Sequence, residues 1–102
     1  MQIKAGVVMP DDPRMRPALM RAASIWDDLG QELVITSGKE GTHSPGSWHY
    51  YGLAFDCRTR YFTEAEATEA YVRLMRELPN AFRVIRHTTH IHVDHPVPEG
   101  WA

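Results

Sequence analysis

Ser47-Trp48-His49-Tyr50-Tyr51-Gly52-Leu53-Ala54-Phe55-Asp56 sets an imidazole and a carboxylate seven residues apart, with a glycine between them and an alternating run leading into the acid. Read as a strand over residues 53–59, that run turns Leu53, Phe55 and Cys57 toward a core and Ala54, Asp56 and Arg58 toward the opposite face. Asp56 then stands on an open face beside small Ala54, where a ligand has room. Downstream lies a second dense patch, His87-Thr88-Thr89-His90-Ile91-His92-Val93-Asp94-His95. As a strand over residues 90–94 it shows His90, His92 and Asp94 on one face and packs Ile91 and Val93 on the other. All six histidines fall between His43 and His95. Two separated histidine clusters with carboxylates nearby point to ligands converging on a metal ion.

Working outward, residues 3–9 read as a short strand stopped by Pro10 and Pro13. Over residues 15–29, Met15, Leu19, Ala22, Ala23, Trp26 and Leu29 recur near helical spacing, and Gly30 supplies a stop. Residues 32–36 (Glu-Leu-Val-Ile-Thr) are short and β-branched, hence a strand. Residues 37–47 hold three glycines and a proline, the composition of a loop. Thr63 opens a second helix, forming a capping box with Glu66 and using Phe62 as a hydrophobic staple. Its buried stripe is expected at Ala67, Tyr71, Leu74, Met75 and Leu78, with Pro79-Asn80 ending it. Residues 82–85 and 90–94 form a last pair of strands turning at residues 87–89, and residues 96–102 form an irregular tail. The expectation is one α+β domain over residues 1–102, a small, mostly antiparallel sheet with helices packed on one side.

Composition narrows the function. With 102 residues, 43% hydrophobic and 24% charged, the chain suits one globular domain and is too short for two. A net charge of −2 supplies no basic field for nucleic acid. Cys57 is the single cysteine, which excludes an intrachain disulfide and a thiolate zinc cage. A zinc site must therefore draw on histidine and carboxylate, the mixture typical of catalytic sites. No segment reads as a signal peptide or a membrane span, so the expected location is the cytoplasm as synthesised, with no membrane partner. The chain is expected to be a monomer.

Zinc takes neutral imidazole and carboxylate at roughly 2.0–2.2 Å, with three protein ligands and a water in catalytic sites. His49, Asp56 and one of the clustered histidines can supply that set. The order Ser47, His49, Gly52, Ala54, Asp56, written S-x-H-x-x-G-x-A-x-D, resembles the signature of the zinc D-Ala-D-Ala carboxypeptidase and L-alanyl-D-glutamate endopeptidase family. That family shares its fold with the Hedgehog signalling domain. The surroundings, Thr36-Ser37-Gly38 through Gly41-Thr42-His43-Ser44-Pro45-Gly46 and on to Arg58-Thr59, resemble its small phage and prophage members. His90-Ile91-His92-Val93-Asp94 is similar to the family's C-terminal H-x-H strand.

The resemblance implies one zinc ion bound by His49, Asp56 and His92, and hydrolysis of a peptide bond in bacterial cell-wall stem peptides. The chain departs from the pattern at the general base. Similar sequences carry an acid a few residues before the last ligand, often as E-x-x-H-x-H, and here His87 and Thr89 occupy those places. Threonine is no base at neutral pH, whereas histidine titrates near 6.5. His87 is therefore expected as general acid/base, with His90 as the alternative. Similar sequences clamp the substrate carboxylate with an arginine after the Ser-Gly turn. Lys39 stands near that place, Arg58 and Arg60 are other cations, and Ser47 is a hydrogen-bonding candidate. His43 and Asp94 are expected behind the ligands, Asp94 orienting His92. His95 is expected to face away from the site.

The leading expectation is a phage-lysin-like zinc peptidase that meets the peptidoglycan after release from the cell or as part of a virion. The alternative keeps fold and zinc without turnover, as a virion-structural or binding domain. A phosphoesterase with two H-x-[ST] motifs fits poorly, because His87-Thr88-Thr89 has no second copy. A nuclease fits worse, for want of a basic stripe.

Overall fold

The computed structural model describes residues 1–97, so most of the tail expected over residues 96–102 lies outside them. In chain order the elements are β1 (Gln2–Ile3), α1 (Arg16–Asp28), β2 (Val34–Ser37), β3 (Ala54–Arg58), α2 (Glu64–Glu77), β4 (Arg83–Arg86) and β5 (His90–Asp94). Single 3-10 turns at Pro13–Met15 and Trp48–Tyr51 lead into α1 and toward β3. The strands form one mixed sheet in the order β1-β2-β3-β5-β4. Only β1 and β2 run parallel.

Register explains the two faces of the sheet. Phe55 pairs with Val93 and Val84 with Val93, while Cys57 pairs with both Ile35 and Ile91. These residues turn to one side and join Met15, Ala18, Ala22, Ile25 and Trp26 of the first helical segment and Ala70 and Leu74 of α2 in one apolar cluster. On the reverse side Ser37, Asp56, His92 and Ile85 form one row, and Arg58 and His90 form the next. Helices thus cover one face, as expected, and the chemistry lies on the other.

Several boundaries shift for physical reasons. The strand expected over residues 3–9 is only Gln2–Ile3, because the chain turns at Gly6, whose φ of 87° suits glycine. The first helix starts at Arg16 rather than residue 15, after Asp12 caps the preceding turn by accepting from the Arg14 amide at 2.9 Å. Its stripe is rotated by about one position, with Ala18 and Ile25 fully buried while Leu19 and Ala23 pack partly against the core. In α2 the Thr63–Glu66 capping box is present, and Phe62 packs against Trp26 with ring centroids 5.6 Å apart. Met75, expected in the stripe, is 55% exposed, whereas Ala70 is buried. The buried line runs Ala67, Ala70, Leu74, Leu78, and Met75 sits a full 100° round the helix from Leu74.

Candidate metal centre

The side chains that converge come from three places. Asp56 on β3 and His92 on β5 are direct cross-strand partners on the uncovered face. His49 arrives from the 3-10 turn Trp48–Tyr51. Ser47 opens that turn by accepting from the His49 amide at 3.3 Å, and Gly52 closes it in the left-handed conformation at φ 71°. A Cβ on Gly52 would also meet the Asp11 carboxylate, an exposed side-chain end that can swing aside, so the left-handed backbone is what calls for glycine there. The Leu53 amide bonds back to the Trp48 carbonyl at 3.1 Å, and the chain enters β3 with His49 held over Asp56.

His49 Nε2, Asp56 Oδ1 and His92 Nδ1 face one another at 3.1 Å (His49–His92), 3.0 Å (His92–Asp56) and 3.4 Å (His49–Asp56). Among the described residues these three form a group able to hold a metal ion. A tetrahedron with bonds of about 2.1 Å has edges of about 3.4 Å, close to this triangle.

The remaining ring nitrogens determine what the triangle offers. His49 Nδ1 lies 2.8 Å from the Gly38 carbonyl, which can only accept, so Nδ1 carries the hydrogen and Nε2 keeps its lone pair. His92 Nε2 lies 2.7 Å from the Asp94 carboxylate, so the same logic leaves Nδ1 with a lone pair. Three electron-pair donors therefore meet with no hydrogen among them unless a proton or a cation supplies positive charge. In the metal-free protein a proton on His92 does so. Burial works against that proton, but the bonds and charges of Asp56 and Asp94 outweigh it and push His92 up to about 9. Burial likewise opposes ionisation of Asp56, yet the imidazoles of His49 and His92 hold it well below the usual carboxylate range.

Behind the triangle, Asp94 is fully buried and receives a bidentate fork from Arg83 at 2.7 and 3.1 Å. Burial raises the Asp94 carboxyl, and the His92 and Arg83 contacts bring it below its ordinary value. Asp94, held by Arg83, in turn fixes the orientation of the His92 ring. His43 stacks on the His49 ring at 4.1 Å, nearly parallel, with its Nε2 donating to the Glu40 carbonyl at 2.7 Å. His95 packs edge-on against Phe82, away from the triangle.

A cleft of about 420 Å³ opens over the triangle and is lined by His87 and His90 as well as His43, Ser47 and the three ligand candidates. His87 and His90 stack at 4.6 Å, and His90 Nε2 comes within 3.9 Å of Asp56 Oδ2. Burial lowers the His90 pKa, partly offset by Asp56. Ser47 lines the cleft while capping the turn. Lys39 does not line it: its ammonium bonds Asp11 at 3.0 Å. Arg58 opens instead into an adjoining cavity of about 290 Å³, together with Arg60 and Lys4.

Three participants escaped the sequence reading. Lys4 reaches the site because β1 pairs with β2, a contact that nothing local in residues 1–9 signals. Arg83 meets Asp94 through the hairpin register, which counting back from the turn at residues 87–89 could have found. Gly38 presents its carbonyl to His49, and a Cβ there would run into the Val8 carbonyl. No family model matches the chain, and no curated protein or solved structure matches it either.

Proposed function

We propose that this chain is a zinc-dependent peptidase of bacterial peptidoglycan stem peptides, of the carboxypeptidase or endopeptidase type used in phage lysis. The observation that carries the reading is the triangle of His49 Nε2, Asp56 Oδ1 and His92 Nδ1, in which the second ring nitrogen of each imidazole is already bonded elsewhere. The triangle fits a divalent ion of tetrahedral preference, and the all-nitrogen-and-oxygen donor set suits a catalytic site. When bound, zinc supplies a Lewis acid that polarises a carbonyl and acidifies a water. The Gly38 carbonyl and Asp94 carboxylate hold the two imidazoles in the ligating tautomer. The cleft over them accepts an extended peptide against His43 and Ser47 on one side and His87 and His90 on the other. His87, exposed at the rim of the cleft, takes a proton and returns it to the departing amine. His90, stacked on it with Nε2 beside Asp56, is the alternative carrier of that proton.

Elemental analysis of purified protein tests the reading, together with release of soluble peptides from isolated peptidoglycan. One equivalent of zinc and peptide release are expected, and both are lost in His49→Ala. Protein that takes up no zinc after supplementation overturns it. A second reading, a zinc-stabilised binding or virion-structural domain without turnover, draws on the His and Thr at positions 87 and 89 where similar sequences carry an acid. Full zinc occupancy with no peptide release selects that reading.

A further inference from the structure

We infer that Tyr50 is a positioning residue of the metal centre: its hydroxyl clasps the loop over residues 41–46 and so holds the His43 ring flat on His49. The inference rests on the zinc reading above and goes on to what keeps the ion in place. One hydroxyl makes both bonds of the clasp. The His43 amide donates to Tyr50 Oη at 2.6 Å, and Oη donates to the His43 carbonyl at 2.8 Å. Tyr50 is placed to do this because it follows His49 in the 3-10 turn Trp48–Tyr51. Successive side chains of that turn reach His43 from two directions. The His49 ring lies parallel to it at 4.1 Å, and the Tyr50 ring meets it edge-on at 5.4 Å.

Little else holds this loop to the centre. Gly41 and Gly46 bound it, both in the left-handed region at φ 79°. Between them Thr42, Ser44 and Pro45 are exposed, and His43 alone is half-buried. Among the described residues, the hydrogen bonds of residues 41–46 are the two to Tyr50, one from His43 Nε2 to the Glu40 carbonyl, and one from the Ser47 amide to the Ser44 carbonyl. The last two span three residues each and shape the loop itself. Only the clasp ties it to the turn that carries a ligand. With His43 in place His49 is buried, although the cleft opens beside it. A loop that swings away uncovers one face of the His49 ring and gives it room to turn from Asp56 and His92, which speeds loss of the ion. Tyr50 thus acts through His43.

The test follows zinc release from the full-length protein into excess chelator. Tyr50→Phe keeps the ring and loses the clasp, and should release zinc about tenfold faster from a site that still binds one equivalent. Tyr51→Phe removes the hydroxyl of the neighbouring exposed tyrosine and should match the wild type. His43→Ala should release zinc at least as fast as Tyr50→Phe. Combining the two should add nothing to His43→Ala, because the hydroxyl works only by holding that ring. In the metal-free protein, hydrogen exchange at the His43 amide should be about tenfold faster in Tyr50→Phe, while the amides of β3 and β5 keep their protection. That contrast separates a released loop from a weakened fold. A release rate unmoved by Tyr50→Phe overturns the proposal, as do effects of the two substitutions that simply multiply. If the wild type takes up no zinc, the peptidase reading falls and the His43 amide decides the clasp alone. Faster exchange in Tyr50→Phe then upholds it, and equal exchange overturns it.

Discussion

The two faces of the sheet are built from alternate residues of the same strands and obey opposite rules. On the covered face Phe55, Cys57, Ile91 and Val93 are fully buried and need only fill space. One bond further along the chain, Asp56, His90 and His92 are half-buried, and every ring nitrogen and carboxylate oxygen has a specified neighbour. The difference teaches that one alternating pattern supplies both rigidity and chemistry, and that the two can be disturbed separately.

The sharpest separation comes from Asp56→Ala, which removes a triangle vertex without enlarging the core. Zinc stoichiometry should fall from one to near zero, while the variant unfolds cooperatively in urea. The mirror experiment is Phe55→Ala on the covered face. It should cost about 3–5 kcal/mol in urea denaturation, with zinc still bound by the fraction that remains folded. Asp94→Asn probes the support behind His92 and should weaken zinc about 10–100-fold in chelator competition, leaving stoichiometry at one.

Protons sharpen the same comparison. His92 is pushed up to about 9 in the metal-free protein, so a zinc ion bound as proposed would displace a proton below that pH. Competition titrations should show affinity rising about tenfold per pH unit between pH 6.5 and 9. Stability of the metal-free form moves the other way. A raised folded-state pKa contributes fully below the unfolded value near 6.5 and is lost as pH climbs through 9. On the covered face, burial pushes the Cys57 thiol well above its ordinary value. The smallest effect belongs to the outer side of α2, where Met75→Lys should change stability by no more than about 0.5 kcal/mol, against about 2–5 kcal/mol for Leu74→Ala one residue away.

What could be read in advance divides along the same lines. The alternation from Leu53 to Arg58 and from His90 to Asp94 identified both faces, because period-two patterning is local and a one-residue slip would bury Asp56. The Thr63–Glu66 cap was equally legible, since its partners are three residues apart. Lys39 was misleading because its partner Asp11 is 28 residues away and sequence spacing says nothing of that pairing. Lys4 was invisible for the same reason. The half-turn choice between Ala70 and Met75 depended on where the sheet lies under α2, a tertiary fact. Leu53, Phe55 and Cys57 turned inward as expected, but Ala54, expected on the open face, is also fully buried.

The loop that carries His49 is fastened at both ends by one early stretch of chain. The Val8 carbonyl accepts from the Lys39 amide at 2.7 Å and crowds Gly38, whose own carbonyl holds His49, while the Asp12 amide bonds to Gly52 at 3.4 Å. A protease clip among residues 5–9 would therefore slacken the proposed ion's housing while severing none of the three candidate ligands and only one short, peripheral strand from the sheet. On the zinc reading, such nicked protein should bind the ion more weakly while its far-ultraviolet circular dichroism stays nearly unchanged, which would make those opening residues a handle on the site from outside it.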